Sequence, residues 1–190
     1  RRLSGKPIEI DIADGFKFNT PGAGLRFMES EMAPAAARLA MLRRASDAPI
    51  GPIAERCAWI DPQLWVPAAL LWLESKRSAE ETLLFFKRLE RLVWMMKIAG
   101  FDPTKQHTRI IHLLGEIDRG TPVQRMTELE ITPRIRDAAT FNLRSTSFYA
   151  KHYAGRVLRR ISIALGQDPG PVDRNSVTVE HILPRGWAAK

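Results

Sequence analysis

Cysteine is almost missing from this chain. Cys57 is the only one in 190 residues, so no internal disulfide can form, and a reducing compartment, the cytoplasm, is the expected setting. Beside Trp59 and Ile60 its thiol reads as a small core residue rather than a nucleophile. Long apolar runs are missing too. None reaches the roughly 18 residues that a membrane helix needs, so no membrane partner is expected. The opening Arg-Arg-Leu-Ser-Gly-Lys-Pro does not read as a signal peptide. Histidines are few, and His107 and His112 stand five apart. That spacing puts them on different sides of a helix, unlike the i, i+4 pair of a metal-binding helix. The glycine run Thr20-Pro-Gly-Ala-Gly24 lacks the lysine and helix opening that a nucleotide-phosphate loop requires. Neither an internal repeat nor a low-complexity tract is visible.

Acidic residues are the other shortage: 21 against 29 Lys and Arg, a formal charge of +8. The imbalance is local. Residues 1–28 hold five cations and three acids, residues 29–133 fourteen of each, and residues 134–190 ten cations and four acids. A basic excess at the C-terminal end suits a phosphate-bearing substrate. The hydrophobic share of 45% is ordinary for a globular chain and allows one well-filled core.

The periodicities predict a mainly α fold. A multi-helix domain over 25–170 follows a leading segment, 1–24, and precedes 171–190. Ile8, Ile10 and Ile12 alternate with Glu9 and Asp11, which predicts a short N-terminal strand. Leu25 to about Ala45 is helical, started or broken at Pro34, and Ser46 to Pro52 is a loop. Asp61-Pro62 reads as a cap and first turn before an apolar segment that Pro67 divides. The trio Trp59, Trp65 and Trp72 falls in this stretch and reads as core packing rather than an aromatic cage. Ser78-Ala-Glu-Glu81 is a capping box opening the strongest helix, to about Ala99 with Gly100 as its stop. Asp102-Pro103 opens another, to Gly120, while Thr121-Pro122 and Thr132-Pro133 each start a short one. Ser147 to Leu165 reads as the last long helix, with a buried stripe that includes Phe148, Tyr153, Val157, Ile161 and Leu165. Its flank of Lys151, His152, Arg156, Arg159 and Arg160 is basic.

Val177, Val179, His181 and Leu183 then alternate with Thr178, Glu180 and Ile182, predicting a C-terminal strand that Pro184 and Gly186 end. An imidazole beside a carboxylate on a strand edge is a workable start for metal-dependent phosphodiester hydrolysis. The wider context, Glu180-His-Ile-Leu-Pro184 with Arg185 and Trp187, resembles the opening of the HNH nuclease motif. More narrowly, it is similar to the C-terminal region of GmrSD-type modification-dependent restriction endonucleases. The Phe85-Phe-Lys-Arg-Leu-Glu-Arg-Leu-Val and Phe148-Tyr-Ala-Lys-His-Tyr-Ala-Gly-Arg stretches resemble the helical region that precedes the motif there. The resemblance covers roughly residues 25–190.

The resemblance implies that His181 is the general base, that Glu180 is a metal ligand for Mg2+, and that the strand begins a ββα metal finger. It also implies DNA as substrate, contacted by Arg156, Arg159, Arg160 and Arg185, and a partner domain that hydrolyses nucleotides on the N-terminal side. One departure matters. The family's motif continues with an Asn and a third His or Asn, and nothing after His181 supplies either. The chain is therefore expected to be a piece of a longer protein, truncated inside the motif over 171–190 and inactive alone. The alternative is a non-catalytic helical module that binds DNA or a partner.

Overall fold

Proline and short polar caps decide where this chain turns helical. A computed structural model describes residues 22, 25–26, 28–44 and 49–167. Its α-helices are α1 (Ala33–Arg44), α2 (Gly51–Ile60), α3 (Val66–Glu74), α4 (Ala79–Ile98), α5 (Pro103–Asp118), α6 (Pro133–Arg144) and α7 (Ala154–Ala164). Short 3-10 turns at Val123–Arg125, Thr127–Leu129 and Thr146–Ala150 join the later ones. The mainly α prediction holds for this region, and no strand occurs among the described residues. Both predicted strands, around Ile8–Ile12 and Val177–Leu183, lie outside the described residues.

The starts follow capping chemistry. Ser78 Oγ accepts a hydrogen bond from the Glu81 amide at 3.1 Å, as the capping box requires at the head of α4. Asp102 Oδ1 accepts from the Lys105 amide at 2.9 Å at the head of α5. The Lys105 ammonium, hydrogen-bonded to the Asp102 carboxylate at 2.8 Å, together with this amide bond holds the carboxyl below its ordinary range. Thr132 caps α6 through the Ile135 amide. The stop at Gly100 is also as read. Its φ of +77° is the left-handed conformation that glycine adopts without strain. There the Phe101 amide donates back to the Met96 carbonyl at 3.0 Å. Asn142 of α6 donates to the Ile98 carbonyl at 2.8 Å, satisfying another orphan of the same helix end.

Three boundaries differ from the expectation. Helix α2 begins at Gly51, inside the predicted loop, and its Pro52 occupies the first turn, where a missing N–H costs nothing. Asp61 caps a turn through the Gln63 and Leu64 amides, at 2.9 and 2.8 Å, and the helix itself waits until Val66 with Pro67 in its first turn. The long last helix is broken: a 3-10 turn at Thr146–Ala150 comes first, and α7 opens only at Ala154. Phe148 and Tyr153 explain the break. Five residues apart, they would face different sides of one helix, whereas the interrupted backbone buries both.

Helix α4 is the axis of the domain. It packs against α2, α3 and α6 and against the first two 3-10 turns, while α5 lies on α3 and α7 on α2. Trp72 of α3 stacks flat on Phe85 of α4, centroids 4.3 Å apart, and Phe86 meets Phe85 edge-on. The indole of Trp72 donates to Thr82 Oγ1 at 3.3 Å, so the ring is buried without an unpaired N–H. Trp59, Trp65 and Trp72 are core residues, as expected, and so is Cys57.

Phe85→Ala should cost about 3–5 kcal/mol, read as a lowered urea midpoint with an unchanged slope, because it removes the partner of the Trp72 ring. The Cys57 thiol is fully enclosed, and burial pushes its pKa well up, so it should stay unmodified by a disulfide reagent until the chain is unfolded. Fast stoichiometric labelling of the native protein would contradict this burial.

Candidate functional site

The residues singled out in the sequence fall into two groups. Glu180, His181 and Arg185 lie outside the described residues. Arg156, Arg159 and Arg160 stand at i, i+3 and i+4 on α7, forming one row along it. That row is turned toward α2 and α4. Arg156 is exposed at the surface, yet its Nη1 donates to the Trp59 carbonyl at 2.7 Å, an acceptor in the last turn of α2. The Arg159 guanidinium lies 4.4 Å from the centroid of the Trp59 ring, a cation–π contact. Arg160 Nε donates to Glu90 Oε1 at 2.7 Å. Lys151 and His152, on the same flank, are exposed.

Glu90 is the centre of this arrangement. It is only 4% exposed. It follows Phe86 by four residues and precedes Val93 by three, so helical geometry puts it within the apolar stripe. Its Oε1 accepts from Arg56 Nε and from Arg160 Nε, both at 2.7 Å, and its Oε2 accepts from Arg56 Nη2 at 3.1 Å. The Arg56 fork is therefore bidentate. The hydrogen bond to Glu90 raises the Arg56 pKa above its ordinary value, against the opposing effect of partial burial. Arg56 was invisible as a site residue because the sequence reading placed no helix over its segment. A carboxylate inside a hydrophobic stripe was the one signal that could have found the pair.

Two guanidinium groups on one carboxylate leave a net positive charge. They open onto a groove of about 570 Å³ between α4 and α7, whose floor includes Trp94, Met95 and Ile98 and whose rim carries Lys87 and Arg91. No group lining it is a free base or nucleophile, since Glu90 is already shared by two cations. Its chemistry is that of binding.

A second groove, also about 570 Å³, lies where α5 meets α6. Glu116, nearly buried, accepts from the Thr127 amide and hydroxyl and from the Glu128 amide, and so pins the turn that presents Glu128. Arg109 donates to the carbonyls of Glu128 and Glu130, at 2.9 and 2.6 Å. His112 Nδ1 stands 3.6 Å from Glu128 Oε1, too far for a hydrogen bond. His107 is turned to its own helix, with Nδ1 2.6 Å from the Pro103 carbonyl. The two histidines are not brought together, as their spacing predicted. Among the described residues no group of three or more His, Cys, Asp and Glu is placed to hold a metal ion. No described helix is long and apolar enough to cross a membrane.

No family model matches this sequence, and no curated protein or solved structure compared with it matches either.

Removing the shared carboxylate leaves two guanidinium groups close together without their counter-charge. Glu90→Ala should destabilise the domain by about 2–3 kcal/mol, below the 3–5 kcal/mol typical of a fully buried pair, because Arg160 keeps 32% of its side chain in water. Adding Arg160→Ala to that variant should cost less than the same change in the wild-type chain, a coupling that a double-mutant cycle by urea denaturation measures directly.

Proposed function

We propose that this chain is the helical part of a bacterial defence DNA endonuclease of the HNH type, together with the opening of its nuclease motif. The observation that carries the reading is the Glu180-His-Ile-Leu-Pro184 stretch with Arg185 and Trp187, set in the most basic third of the sequence. In the intact parent, His181 takes the proton from the attacking water, which needs an imidazole neutral near physiological pH. Glu180 helps to hold Mg2+, whose contribution when bound is to stabilise negative charge on the phosphate. The basic flank of α7, through Lys151, His152 and Arg156, with Arg185 further along the chain, lies along the phosphate backbone and positions the duplex without reading its sequence, while Arg159 and Arg160 are held against Trp59 and Glu90. Exposed Lys151, His152 and Arg156 are the members of that flank best placed to do so. A nucleotide-hydrolysing domain is the partner that the same family pattern implies.

The second reading is a helical module that binds DNA or a partner and performs no chemistry. It is favoured by the basic excess over residues 134–190 and by the groove between α4 and α7, whose lining suits binding.

Both readings meet in one experiment. The purified 190-residue chain should give no Mg2+-dependent nicking of supercoiled plasmid, since the sequence after His181 holds neither Asn nor His. It should still bind duplex DNA, with affinity falling steeply as salt rises because each neutralised phosphate releases counterions. A Lys151→Glu/Arg156→Glu variant should bind at least about tenfold more weakly at low salt, from two lost phosphate contacts. Robust nicking by this chain would overturn the incomplete-site argument, and the absence of binding at low salt would remove DNA from both readings.

A further inference from the structure

The apolar stripe of α7 runs past the body it packs against. Val157 is 3% exposed, Ile161, one turn on, is 43%, and Leu165 at the C-cap is 71%. Ile161 and Leu143 are large apolar side chains exposed beside Met95 and Ile98 in the groove between α4 and α7. Apolar surface gathered in an open groove lowers its free energy by being covered, at roughly 25 cal/mol per Å². The rim has the opposite character. Lys87 and Arg91 are exposed one turn apart on α4, flanking the Arg56–Glu90–Arg160 cluster, and Glu90, the only carboxylate among the described residues lining the groove, is already shared by two guanidinium groups.

An apolar floor inside a cationic rim selects its occupant. A second copy of this chain would bring another cationic rim to the first. The chain's own residues 168–190 carry three acids against three cations and offer the rim no net charge. A phosphodiester backbone would satisfy the rim but leave the floor wet. An amphipathic helix with acidic residues along one edge satisfies both, placing apolar side chains at i, i+3, i+4 and i+7 over Met95, Leu143 and Ile161, with carboxylates against Lys87 and Arg91. We propose that this groove is the docking site for an acidic amphipathic helix of a partner protein. The inference does not depend on the nuclease reading, because the groove is lined by none of the residues of the proposed motif.

The test uses the full chain and a fluorescein-labelled synthetic peptide, helical and amphipathic, with leucine on one face and glutamate on the other. Anisotropy should show saturable binding that a peptide with lysine in place of glutamate does not reproduce. Lys87→Glu/Arg91→Glu should weaken binding more than about tenfold, and Ile161→Gln should weaken it about tenfold, both with an unchanged far-UV circular dichroism spectrum. Binding unaffected by either variant would overturn the proposal, as would no binding at all. Equal binding of the lysine peptide would show the rim to be irrelevant and would also overturn it. So would competition in which a short DNA duplex displaces the peptide from wild-type chain but the Ile161→Gln variant binds as tightly as wild type, since the floor would then play no part.

Discussion

One carboxylate holds three helices together. Glu90, on α4, is the shared acceptor for Arg56 from α2 and Arg160 from α7, residues 34 and 70 positions away along the chain. Burying a charge costs several kcal/mol unless it is paired and hydrogen-bonded, and here both oxygens of Glu90 are engaged by guanidinium N–H groups. That makes the position intolerant of alternatives. A hydrophobic replacement would leave two cations facing each other, and a displaced helix would leave the acid short of a donor. The pair therefore specifies how α2, α4 and α7 sit in a way that apolar contacts, which are non-directional, do not.

Around this polar centre the rest of the domain is fixed by packing and by backbone bookkeeping. The Trp72–Phe85 stack fastens α3 to α4. Arg88 reaches from α4 to the Val123 and Met126 carbonyls, satisfying acceptors in a turn that has few internal bonds. Glu116 does the same for the amides of the next turn. Long polar side chains thus serve as substitutes for backbone partners wherever the chain is neither helix nor strand. This explains why several charges that would pass for solvated surface are half-buried.

Local signals made much of this fold legible. Ser78, Asp102 and Thr132 announced three helix starts, and Gly100 a stop, because capping depends on residues three or four apart and is written in the sequence directly. The tryptophans and Cys57 were legible as core for the same reason: their neighbours are apolar. Tertiary placement was not legible. The place of Glu90 within the apolar stripe of α4 points to burial, but its partners come from α2 and α7, neither adjacent in sequence, and no local pattern names them. The break before α7 was hidden likewise, since the need to bury both Phe148 and Tyr153 exists only once the turn at Thr146–Ala150 is packed on α6 and α7. Of the residues chosen for function, Arg156, Arg159 and Arg160 were chosen for their charge, while the structure adds what that charge rests against.

Helix α7 packs on the domain through Tyr153, Ala154, Val157, Leu158 and Ile163 and through three arginines along its length. Its axis is aimed by charge and aromatic contact as well as by apolar packing. Apolar packing tolerates rotation of a helix by a few degrees, but a forked acceptor, a carbonyl and an indole face met at successive positions admit only one heading. Helix α7 acts as a pointer, and its bearing is set by one acid and one tryptophan on the two helices beneath it.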